Sequence, residues 1–165
     1  LHDRLMHLGA ALVVKTVDAI ANDTVTTQIQ PQSSDLKSAY KLYPENTKIE
    51  WEKPVKTIHN HIRGLSPSPG AWCYLINNDK EERVNIYSAE VYTEPNRSAE
   101  TDTEILEEKD KNTALGSIQI EEGHLKVTTL NGYLFIKEIQ LPGKRKMDVK
   151  SLLNGYKFSE NAKMR

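Results

Sequence analysis

The sequence predicts a mainly β protein with flanking helices: one long helix, then a small open barrel of about five short strands. Three observations predict it. Up to Asn22 the apolar residues recur at helical spacing, whereas beyond Gly70 they alternate in short runs punctuated by Asn, Asp and Gly, as antiparallel strands joined by tight turns do. With 165 residues, 38% of them apolar, the chain supports one ordinary domain and an appendage, and a single cysteine excludes a disulfide scaffold.

Leu5, Leu8, Leu12, Val13, Val17 and Ile20 trace one stripe of a helix over 1–22, which Asn22-Asp23 ends. Gly9 costs this helix about 1 kcal/mol against Ala, which implies close packing at that point. Residues 23–46 are polar and uneven, with Pro31, Ser33, Ser34 and Pro44, and read as a linker whose Tyr40, Leu42 and Tyr43 lie against a surface. The main domain then runs over 47–165. Lys48 to Trp51 reads as a short strand feeding a second helix. Pro54 suits that helix's first position, where its missing N–H costs nothing, and Val55, Ile58, Ile62 and Leu65 form its buried stripe. It ends near Gly64, because Pro67 and Pro69 fix φ, lack donors and push Ser66 and Ser68 towards extended backbone. Trp51 and Trp72 bracket the helix and are expected to pack on its apolar face. Gly70 and Ala71 leave room for a close backbone approach.

Trp72 to Ile76 is the first strand, turned by Asn77-Asn78-Asp79 into a second over Arg83 to Tyr92. Val84 and Ile86 share one parity there and Ala89 and Val91 the other, so a bulge is expected near Tyr87-Ser88. Residues 93–113 are acidic and carry Pro95, which predicts a mobile excursion. Gly116 to Ile120, His124 to Leu130 and Tyr133 to Leu141 are strand-like. Asn131-Gly132 is the strongest hairpin signal, a type I′ turn, and Glu122-Gly123 a weaker one. Asp148 caps a short last helix with Leu152 and Leu153 inward and Gly155 in the left-handed position after it. Such a set of strands resembles the OB-fold.

Charge is nearly balanced at −1 but unevenly placed. Glu90 to Glu122 holds ten acidic and three basic residues, −7, whereas Gly143 to Arg165 holds seven basic and two acidic, +5. That asymmetry sets up a local positive field fit for a polyanion. No apolar run approaches a membrane span and no signal pattern opens the chain, so it reads as soluble and cytoplasmic. Cys73, in a strand, reads as a buried small hydrophobe. A metal site is rejected, because His59 and His61 at i and i+2 face opposite sides of a helix and neither Cys73 nor His124 adds a zinc spacing.

Ile58-His59-Asn60, Ile62-Arg63-Gly64-Leu65, Pro67 and Pro69-Gly70-Ala71 together resemble the C-terminal signature of the formyltransferases that use 10-formyltetrahydrofolate. Ile49-Glu50-Trp51 with Pro54, and Gly143-Lys144-Arg145-Lys146-Met147 leading to Leu152-Leu153-Asn154-Gly155, agree with that family in order and spacing. The Arg-Gly-Leu-Ser-Pro wording is most similar to the methionyl-tRNA formyltransferases within it. Ser68 departs, standing where the family commonly has an aromatic residue. The resemblance implies that helix 1–22 is left over from an α/β catalytic domain and that the barrel helps hold initiator methionyl-tRNA. It also implies that 10-formyltetrahydrofolate is the co-substrate of the whole enzyme, with no cofactor bound by this portion.

Formyl transfer needs a group to take the amine proton and donors for the oxyanion. The resemblance places the family's Asn, His and Asp upstream of Leu1, so no catalytic residue is assigned and this portion alone is expected to be inactive. His59, Asn60, Pro67, Pro69 and Gly70 are read as a structural signature, with His59 bonded near the 66–70 turn. Arg63 is read chiefly as a strut to turn or linker carbonyls, with RNA contact as its other role. Lys144, Arg145 and Lys146 with Lys150 are the nucleic-acid candidates, extended by Lys157, Lys163 and Arg165, because a basic loop before a helix holds phosphates. Two other readings stay open: the barrel of a sugar-nucleotide or folate formyltransferase, or an interaction module that self-associates through Leu5, Leu8 and Leu12.

Overall fold

The computed structural model describes residues 1–32, 36–92 and 114–165; the expected excursion at 93–113 lies outside them. Two compact units are present, Leu1–Tyr40 and Lys41–Arg165. The first holds α1 (His2–Ala21), none of whose residues is buried. Its stripe is exposed, Leu8 at 66% and Val17 at 57%, and a Cβ on Gly9 would meet nothing within 4 Å.

The second unit contains α2 (Pro44–Thr47), α3 (Val55–Leu65), β1 (Ala71–Asn77), β2 (Lys80–Tyr92), β3 (Ile118–Glu121), β4 (His124–Thr129), β5 (Gly132–Gln140), β6 (Met147–Asp148), α4 (Val149–Leu153) and β7 (Lys163–Met164). The strands form one antiparallel sheet in the order β3-β4-β5-β2-β1-β7, with β6 on β5. The sheet curls until its two edges meet. Ser117 bridges Lys163, the Met164 N–H donates to Gly116 O at 2.8 Å, and the Ile118 N–H donates to Ala162 O at 3.1 Å. The expected mainly β barrel is therefore present, with a two-residue strand at the carboxyl end bridging its edges.

Alternation decides what enters the barrel. Ala71, Cys73 and Leu75 of β1, Val84 and Ile86 of β2, and Leu125, Val127, Leu134, Ile136 and Ile139 of β4 and β5 share one core. α3 lies on β2 and reaches β5 and β1, adding Ile58, Ile62 and Leu65 to that core. Each such burial stabilises the fold by roughly 1.5–3 kcal/mol. The bulge expected near Tyr87-Ser88 is where the β2–β5 register shifts, between Ile86 and Ala89. It changes the parity of the buried face.

Several local expectations are corrected. Lys48–Trp51 is no strand: it makes one parallel bridge, Lys48 to Trp72, because the chain then turns, with the Lys53 N–H donating to Glu50 O at 3.2 Å. Trp51 enters the core, but Trp72 does not pack on α3. It alternates to the outer face of β1, where its indole N–H donates to Pro44 O at 2.8 Å. Leu42 and Tyr43 stay about half exposed, at 53% and 52%. The β4–β5 hairpin is displaced by one residue from expectation. Thr129 pairs with Gly132, so Leu130-Asn131 forms the loop, and neither Asn131 nor Gly132 takes a positive φ. The type I′ geometry belongs instead to Glu122-Gly123, at φ 48° and 75°, and to Asn78-Asp79, at 50° and 61°. Gly155 is not left-handed; the Gly155 and Tyr156 N–H groups both close onto Leu152 O, which ends α4 without that residue.

Candidate nucleic-acid interface

The basic loop 141–146 joins β5 to β6 and is pinned from both ends. Gln140 Nε2 donates to Lys144 O at 2.9 Å, and the Lys144 N–H donates to Leu141 O at 3.1 Å. Gly143, at φ 67°, makes the turn. Lys144 and Arg145 are exposed, and among the described residues no carboxylate lies within ion-pair distance of either. Lys146 differs: its Nζ lies 3.0 Å from Glu138 Oε2 and 5.5 Å from the Tyr87 ring centroid. Lys150 is exposed on α4. That helix starts at Asp148, whose carboxylate accepts from Ser151 Oγ at 2.7 Å and Ser151 N–H at 2.9 Å. The two bonds hold the Asp148 carboxyl below its ordinary range, so the predicted cap is formed and ionised. The further cations named with this loop are divided. Arg165 pairs with Glu81 at 2.8 Å, and Lys163 stands in β7 beside β1.

The signature residues build the turn between α3 and β1. Ser66-Pro67 and Ser68-Pro69 are both cis, and Ser66 is extended at ψ 140°. Gly70 has φ +84°, and a Cβ there would come 3.2 Å from the Tyr87 ring, which is the close approach expected. His59 is half-buried and donates to no turn atom. Arg63 is exposed, and its Nε donates to Asn60 Oδ1 at 3.1 Å on the same helix, so the strut to turn or linker carbonyls is not formed. Arg63 lies farther around the helix axis from Ile58 and Leu65 than His59 does, which fits its exposure beside a half-buried His59.

A row of side chains crosses the outer face of the sheet. Lys48 bridges Trp72, Trp72 pairs with Asn85, and Asn85 pairs with Gln140, which holds Lys144. Arg83 stacks on this row with its guanidinium carbon 4.3 Å from the Trp72 ring, and Lys48 Nζ lies 5.4 Å from the Tyr74 ring. A face of cations seated on rings, one end at Lys48 and the other at Lys144, suits a polyanion.

The family profile "Formyl transferase, C-terminal domain" matches residues 41–157. The chain belongs to this family. Among curated relatives, the methionyl-tRNA formyltransferase of Flavobacterium johnsoniae is 42% identical over 99% of this chain and 47% of its own length. That of Bacteroides thetaiotaomicron is 34% identical over 99% of this chain and 48% of its own. The chain thus spans about half the length of the curated relatives it matches. In fold it resembles a variant of HypX from Aquifex aeolicus, with TM-score 0.50 and 18% identity over 90% of this chain and 24% of that one.

In this formyl transferase C-terminal domain, Lys48 and Arg83 do not stand out in the sequence as members of the cation row. The signal was available in the alternation of β1, which puts Trp72 and Tyr74 opposite the buried Cys73 and Leu75 and hence on the outer face. Among the described residues no cluster of His, Cys, Asp or Glu could hold a metal ion, and no helix is long and apolar enough to cross a membrane.

Proposed function

We propose that this chain is the C-terminal part of a methionyl-tRNA formyltransferase and holds initiator tRNA by its phosphates. The observation that carries the reading is the 42% identity to such an enzyme continued over 99% of the chain. The exposed, carboxylate-free Lys144 and Arg145, with Lys146 and Lys150 beside them, supply the charge that such a substrate needs. The whole enzyme would move a formyl group from 10-formyltetrahydrofolate to the α-amino group of the methionyl ester. A bond from the amine nitrogen to the formyl carbon forms, the bond to folate N10 breaks, and the amine proton passes to N10. The groups that conduct this chemistry belong to a preceding domain, of which α1 is the last helix, and its exposed stripe is the face that packs there. With that stripe uncovered, the chain alone would pair through Leu5, Leu8 and Leu12 at high concentration. Arg63, exposed on α3, stands as a secondary RNA contact.

Binding of initiator tRNA to this chain, followed by anisotropy across a salt series, tests the reading. Affinity should fall steeply with salt, because displaced counterions dominate phosphate binding. Absence of binding at low salt would overturn it and favour a barrel that serves a sugar-nucleotide or folate formyltransferase without touching RNA.

A further inference from the structure

We propose that Arg83 and Lys48, seated over Trp72 and Tyr74, form a second phosphate-holding site that continues the RNA track begun at Lys144 and Arg145. The inference rests on the tRNA-binding reading above and adds residues outside the basic loop. Arg83 and Tyr74 are directly opposed across the β1–β2 pair, which puts the arginine side chain on the same outer face as the tyrosine. Its guanidinium carbon lies 4.3 Å from the Trp72 ring centroid. Seating on the ring holds that group in place, and because Arg83 is exposed its remaining N–H groups can fork onto two oxygens of one tetrahedral phosphate. Lys48 lies over the same two rings, at 5.9 Å from Trp72 and 5.4 Å from Tyr74.

Trp72 is not a stacking platform for bases, and the half-buried Tyr74 ring already carries Lys48 and meets Trp72 edge to face at 5.3 Å. Trp72 is 7% exposed, covered by the cations and by the segment whose Pro44 carbonyl accepts its indole N–H. The aromatic residues therefore position charge, and the ligand chemistry left open is a phosphodiester backbone. Among the described residues no carboxylate lies within ion-pair distance of Arg83 or Lys48, whereas Lys80, Lys126, Lys137, Lys146 and Arg165 are all paired. Position completes the argument. Trp72, Asn85 and Gln140 are cross-strand partners in succession, so Trp72, on which Arg83 is seated, stands two strand spacings, about 10 Å, from the residue that holds the Lys144 loop. One backbone segment can touch both.

The test compares initiator tRNA binding by the unaltered chain, by Arg83→Gln with Lys48→Gln, by Arg83→Lys, and by Lys144→Gln with Arg145→Gln, each over a salt series. Thermal unfolding of every variant is measured alongside. The Arg83/Lys48 double variant should bind about tenfold or more weakly, with a salt slope smaller by about 1.5–2, while its melting temperature stays within a few degrees. Arg83→Lys keeps the charge but not the fork and should lie between. Unaltered chain that binds tRNA while the double variant matches it in affinity and slope overturns this inference and leaves the tRNA reading standing. Unaltered chain that fails to bind defeats both. Binding of an oligo-glutamate peptide that vanishes in the double variant, with tRNA binding intact, would assign the face to an acidic protein segment and likewise overturn the proposal.

Discussion

The Asn131 side-chain oxygen accepts the Val55 backbone N–H at 2.9 Å, so a residue of the β4–β5 loop caps a helix that lies 76 positions earlier in the chain. The first N–H groups of α3 have no partner within the helix, and its own N-cap is Pro54, which offers no side-chain acceptor. Gly132 lets the helix come close, since a Cβ there would stand 3.3 Å from Val55 Cγ1. Asn131→Ala should lower stability by about 1 kcal/mol, as loss of an N-cap does, while Asn131→Asp keeps the acceptor and should retain it. Urea unfolding of the three proteins decides this, and an Ala variant with an unchanged midpoint would show that water replaces the bond at no cost.

That bond also explains where the sequence was and was not legible. The stripe of α3, the strand runs, the bulge after Ile86 and the Asp148 cap depend on neighbours in sequence, and periodicity shows them. Asn131-Gly132 carries the composition of a type I′ turn, yet its oxygen is claimed by α3 and its missing side chain by Val55, so a distant contact overrides the local preference. β6 and β7 have two residues each, too few for any alternation to appear. The candidate site divides in the same way: Lys144 and Arg145 are visible as a charge run, whereas Arg83 and Lys48 meet only after β1 and β2 pair and the Lys48 bridge forms.

Closure of the barrel depends on Gly116. Its φ is +78°, and a Cβ would lie 1.9 Å from Met164 O, a backbone atom that cannot yield without breaking the bridge to β7. Gly116→Ala should cost more than about 3 kcal/mol. Gly123, at φ +75° with open space around it, isolates the conformational part of that cost. Gly123→Ala should lose only about 1 kcal/mol. Equal unfolding midpoints for the two variants would show that the chain end adjusts to the clash.

Burial pushes the Cys73 thiol up to about 12, against the opposing influence of Trp51 and Lys48. The unfolded thiol titrates near 9.0, so above that pH the unfolded chain binds fewer protons than the folded one. Stability should therefore fall as pH rises from about 9 to about 12, by at most about 1.4 kcal/mol per pH unit from this group. Cys73→Ala should be less stable at pH 8 but should lose this alkaline slope. A thiol reagent should leave the folded chain untouched at pH 8 and react once urea unfolds it; rapid reaction in the absence of urea would contradict the burial.

Pairing separates the cations of the proposed interface. Lys146 is neutralised by Glu138 at 3.0 Å, while Lys144 and Arg145 face solvent without a carboxylate among the described residues. Bringing a phosphate to Lys146 requires breaking or sharing that pair, so its net contribution to RNA binding is smaller. Lys144→Gln and Arg145→Gln should each reduce the salt slope of tRNA binding by about 0.9, and Lys146→Gln by clearly less. Glu138→Gln should act in the opposite sense. It removes a repelling carboxylate and releases Lys146, and since exposed pairs are worth about 0–1 kcal/mol, affinity should rise by up to about fivefold. Lys146→Gln costing as much as Arg145→Gln, with Glu138→Gln neutral, would mean that the Lys146–Glu138 pair opens freely in solution and that all three cations reach the RNA alike.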